Sequence, residues 1–185
     1  MFTFQKAIKI AIAKEGSDLA VNPDHAVEKS YGWVIFPNSR EFIETGDQDE
    51  MLIGSGGVLV LKDSGKAIQF SSAFSVEKNL EIYESGYLDH DNWDIVITRV
   101  FDARDAVDQI LALGATYVIP EVESGITWRI AKTYTRNRLK ELVRRPPVRL
   151  NIGQIYFNYD LIVALKQQDS FEYLIEPNQG YENTP

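Results

Sequence analysis

The sequence predicts an α+β protein made of two small α/β sandwich units, each with helices packed on an antiparallel or mixed sheet. Three observations predict this class. Apolar residues recur at helical spacing in some segments and in short continuous runs in others. Glycine and proline separate these segments. The length of 185 residues, with 44% hydrophobic and 25% charged residues, suits one globular domain or two small ones and excludes a disordered or collagen-like chain.

The first half of the chain predicts a helix, about three strands and a second helix. The helix begins at Phe4, has apolar residues at helical spacing and ends near Gly16. Pro37 closes the first apolar strand, and a turn at Asp63–Lys66 joins the next two strands as a hairpin. The predicted strands cover residues 32–36, 58–61 and 67–70, and the second helix covers residues 76–83.

The second half begins again with a strand at Trp93–Val100. Asp102 is a helix-capping residue before an amphipathic run that Gly114 ends. The later predicted elements are strands over 116–119 and 125–131, a helix over 135–145, and last strands over 148–152 and 160–165. The order strand, helix, strand, strand, helix, strand suits an α/β sandwich, for which a split βαβ, ferredoxin-like topology is one arrangement.

The polar stretch Tyr87–Asn92 is the predicted boundary between the two units. We expect a first domain over residues 1–88, a second over 92–176, and a loose tail over 177–185 that is rich in Pro, Asn and Glu. No apolar run in the sequence approaches the roughly 20 residues that a membrane span needs, and residues 2–13 are too polar for a secretory signal. The sequence therefore predicts a cytoplasmic protein without a membrane partner.

Charge is unevenly distributed along the chain. Its 19 Lys and Arg against 27 Asp and Glu give a net charge of −8, which argues weakly against general DNA binding. The basic segment, Arg129–Arg149, nevertheless holds eight Lys or Arg and one Glu. Arg136, Lys140 and Arg144 share one face of its predicted helix. Two interpretations stay open: this face pairs with acids of the same protein, or it contacts an acidic partner or nucleic acid. Nucleic acid is the less expected partner, because no base-reading motif accompanies the charge.

Acidic residues concentrate within ten positions of the first half. They are Glu41, Glu44, Asp47, Asp49 and Glu50, with no Lys or Arg among them. Apolar residues flank them, namely Phe42, Ile43, Met51 and Leu52, and we expect most of these four in the core. The segment is either a solvated loop or a docking patch for a basic protein surface, with charge for steering and apolar area for affinity.

The sequence offers little catalytic chemistry. The absence of Cys excludes disulfides, thiolate zinc sites and cysteine nucleophiles. His25 and His90 lie in polar segments that predict loops, and the acids beside His90 are adjacent residues that seldom converge on one metal ion. Glu121 and Glu123 alternate on a predicted strand, where paired carboxylates can do acid–base work, but a solvated strand edge explains them better. We expect no enzyme activity, metal or cofactor.

The glycine run Gly54–Gly57 is similar in composition to a phosphate-binding loop. Such a loop needs a strand before it, a helix N-terminus after it and usually a Lys. Here a strand follows instead, so the run predicts a tight turn or bulge that leads into Val58.

Seven short motifs of the first half stand in a characteristic order. They are Trp33–Phe36, Glu44–Gly46, Leu52–Gly54, Val58–Val60, Asp63–Lys66, Ser75–Glu77 and Ile82–Glu84. This pattern over residues 1–88 resembles the immunity protein 35 family of bacterial polymorphic-toxin systems. The family has a Gly-Asn-Gly-Pro-like turn where this chain has Gly54–Gly57, and Pro-Val-Glu where it has Ser75–Glu77.

The resemblance implies a compact fold with helices on an antiparallel sheet, and a protein that binds and neutralises a toxin. It brings no catalytic residues. We therefore expect a cytoplasmic immunity protein that occludes its cognate toxin stoichiometrically, and the net acidity favours a basic toxin as partner. The five acids between Glu41 and Glu50 are the first expected contacts, and Arg136, Lys140 and Arg144 the second.

The alternative function is a non-catalytic binding, chaperone-like or regulatory module that uses the basic segment. In either case, unpaired edge strands of two small sheets would permit a homodimer.

Overall fold

The computed structural model describes residues 2–16 and 18–178. The chain divides into two compact units, Met1–Glu81 and Ile82–Pro185. This division falls within a helix, ahead of the polar stretch Tyr87–Asn92 where the sequence places the boundary. Across the described residues the strands form three sheets in which every pairing is antiparallel. The predicted α+β class is confirmed.

The first unit contains two sheets. One is the pair β1–β4, and the other has the order β2-β3-β5-β6. The elements in chain order are α1 (Phe4–Glu15), β1 (Leu19–Val21), a 3₁₀ turn (Pro23–His25), β2 (Val27–Glu28), β3 (Gly32–Ile35), β4 (Pro37–Ser39), α2 (Arg40–Thr45), a second 3₁₀ turn (Gln48–Glu50), β5 (Ser55–Leu61), β6 (Ala67–Ser71) and α3 (Val76–Glu84), which crosses the division between the units.

Helix α1 covers one face of the four-stranded sheet. Ala7 and Ala11, one turn apart, are fully buried in a cluster with side chains of β3 and β5. The register pairs Trp33 with Val60 and Ile35 with Val58, which places these four side chains on the same face. Because Ala is small, the helix can lie close to the sheet. The predicted first helix, strands and hairpin are confirmed.

Up to residue 178, the second unit has one five-stranded sheet and three helices that lie wholly within it, and its strand order is β11-β7-β10-β8-β9. Its elements in chain order are β7 (Trp93–Val100), α4 (Ala103–Ala112), β8 (Thr116–Glu123), β9 (Ile126–Thr133), α5 (Arg136–Leu142), β10 (Val148–Gly153), α6 (Ile155–Leu165) and β11 (Phe171–Pro177).

The sheet of the second unit contains a split βαβ unit. Strands β7 and β8, joined by α4, lie on either side of β10, and both are antiparallel to it. In the ferredoxin-like order the strand inserted there is the third of the motif, whereas here it is the fourth, and β9 takes the edge. The register opposes Val148 to Ile97 and Leu150 to Ile95. All four are buried, so this face of β7 and β10 belongs to the core.

The prediction of a strand over residues 160–165 is wrong. These residues form the second half of α6, whose buried residues Ile155, Tyr159, Ile162 and Leu165 follow helical spacing. The last strand is instead β11, which the sequence analysis did not predict. Pro177, predicted to start a loose tail, ends this strand. The rest of that tail, from residue 179 on, lies outside the described residues.

Candidate functional site

The acidic residues predicted as a contact patch lie on α2 and the 3₁₀ turn that follows it. Glu41 and Glu44 are on α2, Asp47 caps the turn, and Asp49 and Glu50 belong to it. All five are exposed. Within residues 2–16 and 18–178 none of their carboxylates forms an ion pair. The described part of the chain therefore leaves this negative charge unneutralised. We call residues 41–53 the acidic segment.

Two side chains of β4 hold the acidic segment at both of its ends. The Ser39 hydroxyl caps α2 by accepting from the Phe42 amide at 3.0 Å, and it donates to the Glu50 carbonyl at 2.5 Å. The Asn38 amide group donates to the Leu52 carbonyl at 3.2 Å and accepts from the Leu52 amide at 2.8 Å. The backbone of the segment is thus fixed although most of its side chains are exposed.

The end of the acidic segment exposes an apolar run. Leu52 is 52% exposed, Ile53 is 90% exposed, and Met51 is also exposed. The expectation that the flanking apolar residues are mostly core is therefore wrong for Met51 and Leu52, whereas Phe42 and Ile43 are half-buried. Exposed apolar side chains on a fixed backbone next to unpaired carboxylates are the two components of a protein-binding surface.

The basic segment is neutralised in part by acids of its own unit. Arg136 on α5 forms an ion pair with Asp108 on α4, and Arg144 pairs with Glu141 at 2.7 Å. Lys132 pairs with Glu121 at 2.8 Å. Of the three residues predicted to share a helix face, only Lys140 lacks an ion-pair partner among the described residues. Internal pairing therefore accounts for much of the positive charge.

Arg149 joins three neighbouring strands. From β10 it donates to Asp94 on β7 at 3.1 Å and to Glu176 on β11. Asp94 is buried and also accepts from Asn151 at 3.2 Å and from Asn178 at 2.7 Å. Hydrogen bonds from the guanidinium to Glu176 first, and then to Asp94, raise the pKa of Arg149. This arginine has a structural role in the sheet.

The residues considered for catalysis lie apart from any cluster of reactive groups. Glu121 forms the ion pair with Lys132, and Glu123 is exposed near the tip of the β8–β9 hairpin. The His90 ring contacts the Trp93 ring edge-on at 5.3 Å, and His25 lies within hydrogen-bond distance of Asn22 at 3.4 Å. In the part of the chain that the structure describes, no group of three or more His, Asp or Glu could hold a metal ion.

Most of the glycine run belongs to β5, whose register shifts between Ser55 and Val58 as in the predicted bulge, and its glycines have packing roles. A Cβ at Gly56 would lie 2.4 Å from the backbone of Ser71 on β6, and Gly57 has a φ of +90° beside the Phe36 ring. Only glycine allows this close approach and this backbone conformation. The run is thus explained by strand packing, without a phosphate.

Residues 5–86 match the family model described as Immunity protein 35. The first unit matches the immunity protein 35 family. The resemblance found in the sequence is confirmed for this part of the chain. The match covers less than half of the 185 residues and includes the whole acidic segment.

One curated relative is the uncharacterized protein YrhB of Escherichia coli (strain K12), which is 38% identical over 55 residues. That alignment covers 30% of this chain and 58% of the relative, so the chain spans less than two thirds of the relative's length. No solved structure matches this chain. Among the described residues, no helix has the length and apolar character to cross a membrane.

Three parts of this surface are not predicted from the sequence: the Ser39 and Asn38 anchors, the exposure of residues 51–53, and helix α2 itself. A signal for α2 was present, because Ser39 and Gly46 are cap residues on either side of a six-residue run. No periodicity marks Met51–Ile53 as exposed, since three successive apolar residues are equally typical of a buried strand.

Proposed function

We propose that this protein is a cytoplasmic immunity protein that binds a cognate toxin of a polymorphic-toxin system and neutralises it by stoichiometric occlusion. The family match of the first unit supports the class of function. The observation that carries the mechanism is the acidic segment, which combines a fixed backbone, unpaired carboxylates and the exposed side chains of Leu52 and Ile53.

The charge of the segment favours a basic toxin. Five exposed carboxylates within ten residues produce a local negative potential, which raises the rate of encounter with a positive surface and falls with added salt. Nucleases are one basic class, because they must bind phosphate themselves. The apolar side chains beside the carboxylates then supply contact area that slows dissociation.

The test is to co-express the full chain with the product of the adjacent reading frame. We expect a stable stoichiometric complex, and we expect the chain to protect cells from that product. Absence of both would contradict the proposed function.

Variants then locate the contact surface on the full-length protein. L52S/I53S is expected to weaken the complex by about tenfold or more, since truncation of anchoring apolar side chains typically costs over 1 kcal/mol each. Glu41→Gln with Glu44→Gln is expected to slow association and to reduce its salt dependence. D89N/D91N, which removes two exposed carboxylates of the second unit, is the matched control and should leave binding unchanged. Equal effects of the control and of the segment variants would contradict this contact surface.

The surface with Arg136, Lys140 and Arg144 is the second proposed contact surface, and it would serve the alternative function as a binding or regulatory module. The sequence predicts all three on one helix, but α5 ends at Leu142 and Arg144 lies in the turn that follows it. Lys140 is the residue that supports it, because its ammonium has no ion-pair partner among the described residues. We expect Lys140→Gln to leave toxin binding unchanged if the acidic segment is the contact. Loss of binding in this variant, with L52S/I53S unaffected, would transfer the contact to the second unit.

A further inference from the structure

Strand β6 forms one edge of the four-stranded sheet, and its outer side carries unpaired main-chain groups. On its inner side it pairs with β5, where the Leu61 amide donates to the Lys66 carbonyl at 3.0 Å. Residues of an antiparallel strand alternate between bonding to one neighbour and facing the other side. Ile68 therefore bonds inward as Lys66 does, and the N–H and C=O groups of Ala67 and Gln69 point outward. Within residues 2–16 and 18–178 these outward groups form no hydrogen bond.

The other sheet edges in the described part of the chain carry features that oppose the addition of a strand. β2 has only two residues, and β1 and β4 have three each. β9 carries Arg129 and Lys132, and β11 carries Glu172 and Glu176 together with a register shift. Short edges, charges and bulges are devices that keep sheet edges from pairing. The five residues of β6, Ala-Ile-Gln-Phe-Ser, contain neither a charge nor a proline, so this edge is left open.

The groups at this edge determine what can cover it. Regularly spaced N–H and C=O groups on extended backbone are satisfied together by another extended strand. The β6 edge meets this requirement for itself. In an antiparallel pairing centred on Ile68, Ala67 of each copy lies opposite Gln69 of the other and exchanges two hydrogen bonds with it. This register pairs every outward main-chain group of Ala67 and Gln69 in both copies, and it brings no like charges together within the paired strands.

We propose that β6 pairs with β6 of a second copy of the chain, antiparallel about a two-fold axis at Ile68, so that two four-stranded sheets become one continuous sheet. Ile68 of each copy then faces Ile68 of the other at a position without ladder hydrogen bonds, where opposed side chains are closest. Ile68 is half-buried in the single chain, and a pair of β-branched side chains across two strands stabilises their contact. Contact of a surface with its own copy is isologous, so the assembly closes at two chains.

The Glu15 carboxylate beside this edge does not oppose the pairing. It accepts from the Ser55 hydroxyl at 2.5 Å and from the Gln69 side chain, so it lies over β5 and β6 and not beyond them. At about 4.8 Å between neighbouring strands, the two copies of Glu15 are on the order of 10 Å apart or more, a distance at which salt screens exposed charges. The contact between two short strands is small, and dimerisation should therefore depend on concentration.

The experiment measures the mass of the full-length protein in solution by sedimentation and light scattering, from low to high micromolar concentration. We expect a reversible monomer–dimer equilibrium. Hydrogen exchange over the same range measures the main-chain pairing itself: the amides of Ala67 and Gln69 should exchange more slowly as the dimer forms, while those of the edge strand β9 should not change. A chain that stays monomeric at high micromolar concentration overturns the proposal, and so does a dimer in which exchange at these two amides is unchanged.

A charge exchange at residue 68 tests the two-fold axis. Ile68→Lys and Ile68→Glu should each weaken the dimer by about tenfold, because each removes the apolar pair and places two like charges directly opposite one another. Mixed together, the two variants should form a heterodimer, since opposite charges then meet at the axis. Thr127→Lys adds the same charge to the exposed edge strand β9 and is the matched control.

Thermal unfolding checks that each variant keeps its fold, and the exchange measurement on the wild type does not depend on the variants. No heterodimer on mixing two folded variants, or an equal loss of dimer in Thr127→Lys, overturns the pairing through β6.

Discussion

At the scale of single residues, Asn38 and Ser39 show how a few polar atoms give shape to an exposed segment. Asn38 uses both its donor and its acceptor on the main chain of Leu52, fourteen residues away. Ser39 does the same for the Phe42 amide and the Glu50 carbonyl. The apolar side chains of Met51, Leu52 and Ile53 can remain exposed because these backbone hydrogen bonds, and not burial of the side chains, fix the position of the segment.

Replacing Asn38 with Ala should loosen the acidic segment. The two lost hydrogen bonds to Leu52 are solvent-accessible, and the third, from the Ser39 amide, is a local contact within β4. The free energy of unfolding should therefore fall by only about 1 kcal/mol. The Leu52 amide should exchange its hydrogen with solvent markedly faster. Urea unfolding and hydrogen exchange measure these effects, and Gln48→Ala, an exposed change in the same segment, is the control. An unchanged exchange rate at Leu52 in Asn38→Ala would show that the hydrogen bonds from Asn38 do not hold the segment in place.

Tyr87 and Tyr173 should make the second unit sensitive to alkaline pH. Burial raises the pKa of both phenols, and the charge of Tyr87 also raises the pKa of Tyr173. A raised folded-state pKa favours the protonated form, so this stability is present below about pH 10, the unfolded value, and is lost as the pH rises through the folded pKa.

We therefore expect urea unfolding of the second unit to become easier as the pH rises above about 10, and the Y87F/Y173F variant to lose less stability over that range. Ultraviolet titration of the phenolates provides an independent check. A variant with the same pH dependence as the wild type would contradict this assignment.

At the scale of elements, the ion network of Arg149 ties β10 to both β7 and β11. Its partner Asp94 has a side chain only 5% exposed, whereas the Arg144–Glu141 pair is exposed on both sides. Removing the cation leaves a buried carboxylate without its counter-charge, which is costly, while an exposed pair contributes little.

Arg149→Met should therefore reduce the free energy of unfolding by about 2 kcal/mol, a value lowered to allow for the half-exposed guanidinium. Arg144→Met is the matched control and should change it by less than about 0.5 kcal/mol. Thermal or urea unfolding of both variants gives the comparison. Similar losses in the two variants would mean that the network adds no more than a surface pair.

Elements with strong local signals could be predicted from the sequence. Helix α4 has the Asp102 cap, an amphipathic run and Gly114 beyond its end, and β7 is predicted to the residue. Helix α6 could not, because its N-cap residue Gln154 makes no capping hydrogen bond and its second half is a short apolar run that suits a strand equally. The helix becomes evident only in the folded structure, where the buried residues of α6 follow helical spacing from Ile155 onward.

The contact surfaces were predicted less completely than the elements. The positions of the five acids follow directly from the sequence, and so does their exposure, since unpaired carboxylates avoid burial. The exposure of Leu52 and Ile53 does not follow, because apolar residues are usually buried and only the tertiary arrangement shows that no part of the described chain covers them. Pairing of Arg136 with Asp108 likewise depends on the contact between two helices.

At the scale of the whole molecule, the division into two compact units predicts two unfolding events. Trp33 is buried in the first unit and Trp93 in the second. We expect the single-tryptophan variants W93F/W128F and W33F/W128F to report transitions at different urea concentrations in the full-length chain, because each unit has its own core. Coincident fluorescence transitions would contradict independent units, and circular dichroism of the wild type should show both steps.

The hydrogen bonds from Asn38 and Ser39 affect how the sequence of the acidic segment can change over generations. The side chains of Asn38 and Ser39 bond to main-chain atoms of Phe42, Glu50 and Leu52, so the bonds do not depend on which side chains those positions carry. Sequence drift within the segment can then alter charge and shape while its backbone path persists, as in other loops carried by a rigid scaffold. A lineage whose binding partner changes could acquire a new specificity here without first rebuilding its fold.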